Sequence, residues 1–395
     1  MTTRTQRAAL TGSSLALLLT LSHAANDAFT NILPVFLPIL QDRFSLGEAA
    51  LATFVAVISI SSNVLQPVMG AVSDRWGRRR SAALGLIIGS VLMSFLAVVP
   101  SVPLLFVLLA IGGLGSAIYH PSAVSMARSV GERKGLSVAF FTSGGPLGSA
   151  VAPLVVLAVI REFGIEYVPW LAVVGVVLGV LLWVYAPQQA KVVGKERPKL
   201  FDLNLLVGPV GLLAAAGIMR SLAFISFTNA MPLWLVNVKG FAADAPVIGW
   251  TLFVYGAAAA AGVLLSGGLE EHLGRRFLIT GSMVVALPLL LGTLFMPPGS
   301  FLYYLLVALA GAFTNAAIPL LVVSAQDLAP HAVASASGML MGFTWGIAGV
   351  IYIGFGALQE AVGITPALGV SYLFLVPAAL LALYVLSRHR GALSA

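Results

Sequence analysis

Cysteine is absent from the 395-residue chain, and charge is scarce: 9% of the residues are Asp, Glu, Lys or Arg. The first absence excludes a disulfide framework, a thiolate nucleophile and a thiolate metal site. The second excludes an ordinary water-facing surface, since soluble domains carry about 25% charged residues. Short catalytic signatures are also missing. The chain has no P-loop, no His-Glu-x-x-His, no Gly-x-Ser-x-Gly and no cluster with metal-ligand spacing. Neither a cofactor nor a metal is therefore expected, and ATP is not the expected energy source. What the chain does have is apolar sequence, 59% of its residues being hydrophobic. Such a chain belongs in a lipid bilayer.

Apolar runs of the length that crosses a bilayer as a helix recur twelve times. They lie near 12–39, 49–72, 81–99, 103–127, 135–159, 168–186, 205–236, 247–268, 278–296, 301–325, 333–357 and 367–387. The first run continues through Asp27 and Asn31 and is too long for a cleaved secretory signal, so it is expected to be retained as a span.

The connections set the expected orientation. A cytoplasmic N-terminus puts Arg4, Arg7, Arg75, Arg78, Arg79, Arg80, Arg128, Arg133, Lys134, Lys191, Lys195, Arg197, Lys199, Arg275, Arg276, Arg388 and Arg390 inside. Arg43, Arg161 and Lys239 are left outside. This asymmetry is the positive-inside pattern, with both termini cytoplasmic. The formal net charge of +7 is thus a topology signal and gives no support to nucleic-acid binding.

The longest polar interruption, PQQAKVVGKERPKLFD from Pro187 to Asp202, falls at mid-chain. It divides the sequence into a six-helix bundle over 1–186, a cytoplasmic linker over 187–204 and a second six-helix bundle over 205–395. An internal repeat supports this division. FTNILPVFL (Phe29 to Leu37) returns as FTNAMPLWL (Phe227 to Leu235), and the same displacement carries Pro121 onto Pro319. At one residue less, GAVSDRWGRR (Gly70 to Arg79) overlies GGLEEHLGRR (Gly267 to Arg276). The expected fold is an all-α membrane protein of twelve helices in two pseudo-symmetric halves, with substrate handled between them.

GAVSDRWGRRR, between the second and third runs, resembles the Gly-x-x-x-Asp-Arg-x-Gly-Arg-Arg signature of the major facilitator superfamily. LSHAANDAF, GLGSAIYHPSAVSMAR, KGLSVAFFTSGGPLGSAVAPL and VVSAQDLAP, in this order, resemble the fosmidomycin resistance branch of that family. The resemblance implies a proton-driven exporter of small drug-like or anionic compounds in the bacterial inner membrane. It also implies that Gly70, Asp74, Arg75, Gly77 and Arg78 form a charge latch, with Gln326 and Asp327 as the pseudo-symmetric counterpart. The chain departs from related exporters at Leu109, where many carry Arg, and at Ser122, where the branch often carries Glu.

Polar residues inside the spans are the candidate site, because a charge at mid-bilayer costs about 3 kcal/mol and must face the bundle interior or water. Asp27, with His23 and Asn31 four residues to either side, shares a helical face with them. Asp27 is either a proton site or a hydrogen-bonding tie to a neighbouring helix. His120, titratable near neutrality, is the second proton candidate, and Tyr119 beside it is a substrate candidate. Arg220 in the seventh run, with His23, Asn31 and Asn229, is expected to contact substrate, because a guanidinium forms paired hydrogen bonds to carboxylate, phosphate or phosphonate. The other readings of Arg220 are an ion pair with Asp27 across the halves, or snorkelling to the interface. Gly112, Gly113, Gly115, Gly144, Gly145 and Gly148 are expected to permit close helix approach.

The expected function is alternating-access transport, by proton-coupled efflux of small anionic or amphipathic compounds such as fosmidomycin-like phosphonates. Proton-coupled uptake of an organic anion is the alternative, and a membrane receptor or enzyme is a remote one. The expected partners are a small-molecule substrate, protons and the bilayer, with the chain a monomer.

Overall fold

The computed structural model of the chain describes residues 12–127, 134–187 and 203–389. Among these residues it is helical throughout, with no strand, as a bilayer-spanning backbone must be when each amide pairs within its own segment.

Twelve helical rods occupy the twelve expected runs. In the first half they are α1 (Gly12–Thr30, resuming as Leu33–Phe44), α2 (Glu48–Ser59 through Gln66–Trp76), α3 (Arg78–Ser94), α4 (Val102–Ala127), α5 (Lys134–Phe163) and α6 (Ala172–Tyr185). In the second half they are α7 (Pro209–Asn237), α8 (Pro246–Leu273), α9 (Arg275–Thr293) and α10 (Phe301–Leu328). Then come α11 (Val333–Gly338 through Thr344–Val362) and α12 (Ile364–Leu373 and Leu375–Arg388).

Among the described residues ten helices are long and apolar enough to span a membrane, and the bent α2 makes an eleventh. The exception is α1, whose apolar run is diluted by His23, Asn26 and Asp27. It is also broken at Asn31 and Ile32, two residues before Pro34 begins to rebuild it. The repeat of this segment behaves differently, because Pro232 sits inside an unbroken α7.

The loop signature is legible in the backbone. Gly77 (φ +99°) joins α2 to α3, and Gly274 (φ +77°) makes the equivalent turn between α8 and α9. A Cβ at either position meets nothing within 4 Å, so it is the positive φ that calls for glycine. We call the end of the bundle carrying these two turns proximal, and the opposite end distal.

The halves meet where α2 packs on α11, α5 on α8, and the second stretch of α1 on α7. Glycines bring the backbones close: Gly356 lies against Ala52 and Glu48, and Gly256 against Ala150. Among the described residues, the hydrogen bonds between the halves lie at the distal end. Asn237 Nδ2 donates to Gln41 Oε1 (2.8 Å), and the Ala49 amide donates to Glu360 Oε1 (3.0 Å). A vestibule of about 680 Å³, lined from both halves by Gln41, Arg43, Asn237 and Phe241 among others, lies at that end.

Candidate functional site

The polar face of α1 is held from two sides. His23 and Asp27, one helical turn apart, are in contact, with His23 Nε2 3.4 Å from Asp27 Oδ2. From α4, His120 Nε2 comes to 3.1 Å from Asp27 Oδ1. Asn26 Nδ2 donates to Asp27 Oδ1 (3.0 Å) and to Ser116 Oγ (3.0 Å), tying the carboxylate to α4 a second time. His23 is buried and its ring stacks on Phe141 of α5, with centroids 4.3 Å apart.

The other nitrogen of each ring faces a backbone carbonyl. His23 Nδ1 lies 2.7 Å from the Phe141 carbonyl oxygen, and His120 Nδ1 lies 3.0 Å from the Ser116 carbonyl oxygen. A carbonyl only accepts, so His23 Nδ1 donates; His120 Nδ1 faces both the Ser116 carbonyl and, at 3.2 Å, the Ser116 hydroxyl, and where both Nδ1 atoms donate to the carbonyls the neutral rings carry their lone pairs on Nε2. Two lone pairs therefore converge on one carboxylate. Each contact becomes attractive when a cation stands between the two atoms, for instance a proton carried by an imidazolium or by a carboxylic acid.

Space for this cluster comes from α5. Gly144 packs on the Thr20 carbonyl, Gly148 on the Ala24 backbone, and a Cβ on Gly145 would fall on Asp27 Oδ2 and 2.7 Å from His23 Nε2. The glycine run thus lets α5 lie against the charged face of α1. Asn31 Nδ2 donates to the Asp27 carbonyl (3.0 Å) and to Ser149 Oγ (3.0 Å), so it closes the helix break and joins α1 to α5.

Arg220 lies on the other half. It is 2% exposed, with Nη1 donating to Asn315 Oδ1 on α10 (3.1 Å) and Nη2 to Ser221 Oγ (2.7 Å). Its guanidinium carbon sits 4.8 Å from the ring centre of Trp345 on α11. Its Nε is buried with no hydrogen-bond partner, and none of the ion pairs among the described residues includes it. The expected alternative of an Arg220–Asp27 pair does not occur here, because Asp27 is held by the two imidazoles. Snorkelling is excluded by the burial.

Two further expected substrate contacts, Tyr119 and Asn229, are buried in this structure with partners of their own. Tyr119 is fully buried, its hydroxyl 2.7 Å from Ser22 Oγ and its ring against both imidazoles, so it backs the cluster. Asn229 is buried and donates to the Ile225 carbonyl (2.9 Å) and to Thr228 Oγ1 (3.2 Å). A spacing search along the sequence finds no metal-ligand cluster, whereas the fold brings His23, Asp27 and His120 together. Asn315, Ser116 and Phe141 escape sequence reasoning, the last because it acts through its carbonyl oxygen.

In the proximal loops Asp74 accepts from Arg78 Nε and Nη2 (3.1 Å each), an i,i+4 pair, while Arg75 is exposed. Gly70 faces Pro121 on α4, at a spacing where an added Cβ would make ordinary contact. In the mirrored loop Arg275 bonds Glu270 (2.6 Å) and Asp327 (2.5 Å), while Gln326 Nε2 donates to Ser337 Oγ (2.7 Å). Asp327 thus joins the repeated signature directly, and Gln326 joins α10 to α11.

Residues 19–353 match the sequence model of the Major Facilitator Superfamily. The chain belongs to this superfamily. It is accordingly a multi-pass membrane transporter for a small molecule and not an enzyme. The fosmidomycin resistance protein of Escherichia coli (strain K12) is 27% identical over 342 residues, 84% of this chain and 83% of that protein. The uncharacterized MFS-type transporter YfnC of Bacillus subtilis (strain 168) is 27% identical over 379 residues, 91% and 90% of the two chains. A bacterial homolog of the human lysosomal transporter Spinster, in an inward-facing and unoccupied conformation, superposes with a TM-score of 0.78. It is 17% identical, over 96% of this chain and 98% of that one, and the likeness is one of fold.

Proposed function

We propose that this member of the superfamily is a proton-coupled exporter of small anionic compounds, with fosmidomycin-like phosphonates as the model class. The observation that carries this reading is the division of charge. Arg220 is a buried cation on the second half with neutral partners, while the half-buried carboxylate of the first half is engaged by two imidazoles. A desolvated guanidinium without an acidic partner is costly, and an anionic substrate would offset that cost through paired hydrogen bonds. The coupling proton would sit on Asp27 or His120, with His23 as their neighbour. The name of the fosmidomycin resistance relative supports the same direction and substrate class.

In this reading the two halves, one carrying Asp27 and the other Arg220, rock against each other about their interface. The distal hydrogen bonds Gln41–Asn237 and Glu360–Ala49 close the outer side, and the proximal pairs Asp74–Arg78 and Asp327–Arg275 belong to the inner latch. The basic loops put both termini in the cytoplasm, across a bacterial inner membrane, and the chain works as a monomer.

The test is a thermal-shift screen of purified protein against phosphonates, sugar phosphates, carboxylates and cationic drugs. Stabilisation by anions that disappears in Arg220→Ala supports the reading. Stabilisation by cations alone, or an anion shift that survives Arg220→Ala, contradicts it.

A further inference from the structure

The three side chains at Asp27 also have the chemistry of a divalent metal site. His23 Nε2, His120 Nε2 and a carboxylate oxygen of Asp27 lie within 4.8 Å of one another. Around a tetrahedral ion with bonds of about 2.0–2.1 Å, neighbouring ligand atoms are separated by about 3.3 Å. The imidazole nitrogens stand at that spacing from the carboxylate, each from its own oxygen: His120 Nε2 is 3.1 Å from Oδ1 and His23 Nε2 is 3.4 Å from Oδ2.

A second observation points the same way. Imidazoles that bind a metal donate their remaining N–H to a carboxylate, a backbone carbonyl or water, which fixes the tautomer and aims the lone pair inward. His23 does this to the Phe141 carbonyl at 2.7 Å, and His120 does it to the Ser116 carbonyl at 3.0 Å. Asn26 Nδ2 holds the carboxylate in turn, at 3.0 Å from Asp27 Oδ1. These outer contacts come from three different helices. In the neutral rings they turn both Nε2 lone pairs toward the Asp27 carboxylate.

Two imidazoles and one carboxylate, with no thiolate, suit Zn²⁺, Co²⁺ or Ni²⁺ rather than Cu⁺, Ca²⁺ or Mg²⁺. Three protein ligands leave a tetrahedral ion one open position, for water or for a donor atom of a bound molecule. We infer that His23, Asp27 and His120 form a binding site for a divalent transition-metal ion of the Zn²⁺ class. The site rests on ligand geometry and does not depend on the identity of the substrate or the direction of transport.

Co²⁺ is the probe, titrated into the full-length protein purified through a tag without histidine. The expected result is one Co²⁺ per chain with the intense visible absorption of a four- or five-coordinate site, displaced by Zn²⁺. The apparent Kd rises at least about tenfold in His120→Gln and in Asp27→Asn. His272→Gln and His331→Gln, which alter histidines outside the cluster, bind as the unaltered chain does. A measurement that needs no variant accompanies this: Zn²⁺ protects His23 and His120 from diethylpyrocarbonate, read by mass spectrometry. A weak octahedral spectrum indifferent to His120→Gln and Asp27→Asn, or equal modification of both histidines with and without Zn²⁺, overturns the site. Proton-driven transport that fails to appear while the Co²⁺ spectrum is intact counts against the exporter reading and leaves the metal site standing.

Discussion

Gly145 on α5 lies directly against the carboxylate of Asp27 on α1, so closely that a single added methyl would fall on Asp27 Oδ2 and on His23 Nε2. The absence of a side chain at one position is thus what allows a charge at another. Gly145→Ala is expected to destabilise the protein by about 1–3 kcal/mol, the usual penalty for overpacking. Because the collision is with Asp27, the penalty shrinks by about 1 kcal/mol or more in an Asp27→Ala background. A double-mutant cycle on thermal unfolding in detergent measures this, and additive effects would show that the two residues do not meet.

The distal closure is testable with unusual economy, since a chain without cysteine needs no background substitutions. Gln41→Cys combined with Asn237→Cys replaces a 2.8 Å hydrogen bond between the halves by two thiols. A short bifunctional thiol reagent is expected to join them and to stop transport, with activity unchanged in either single variant after treatment. Full transport by the cross-linked protein would mean that the distal ends do not separate during the cycle.

The twelve runs were legible because bilayer thickness imposes a length on each apolar stretch, and the structure moves their ends by only a few residues. The duplication was legible for the same reason that its products diverge: Phe29 to Pro34 and Phe227 to Pro232 keep their residues, yet the first copy breaks at Asn31 and the second does not. Asp27, His23 and His120 could be picked out as costly polar residues in apolar runs. Their union could not, because His120 reaches Asp27 through the packing of α4 on α1. Tyr119 and Asn229 show the limit most plainly. Their types suggest substrate contacts, and only the fold shows that their polar atoms are turned to Ser22 and to the Ile225 carbonyl in this structure.

Gly77 and Gly274 turn the chain at φ +99° and +77°, with open space where a Cβ would stand. Alanine at either position is expected to cost about 1–2 kcal/mol through backbone strain alone. Unfolding midpoints of Gly77→Ala and Gly274→Ala should fall by similar amounts. A loss at one position and none at the other would separate the two loops that the repeat equates.

The pair Arg275–Asp327 is partly exposed, its side chains 20% and 36% accessible, so its worth to stability is about 0–1 kcal/mol after solvent screening. Asp327→Asn is therefore expected to unfold near the temperature of the unaltered protein while slowing transport, because the pair joins the α8–α9 turn to the end of α10. Equal transport rates in proteoliposomes would remove Asp327 from the latch.

The central claim is that Asp27, between its two imidazoles, handles the proton while Arg220 holds the anion. The direct measurement compares two fluxes of fosmidomycin through Asp27→Asn protein in proteoliposomes: flux driven by a pH gradient, and exchange of labelled for unlabelled compound without a gradient. The account predicts that the gradient-driven flux is lost and that exchange persists. Gradient-driven flux retained at the level of the unaltered protein would contradict it.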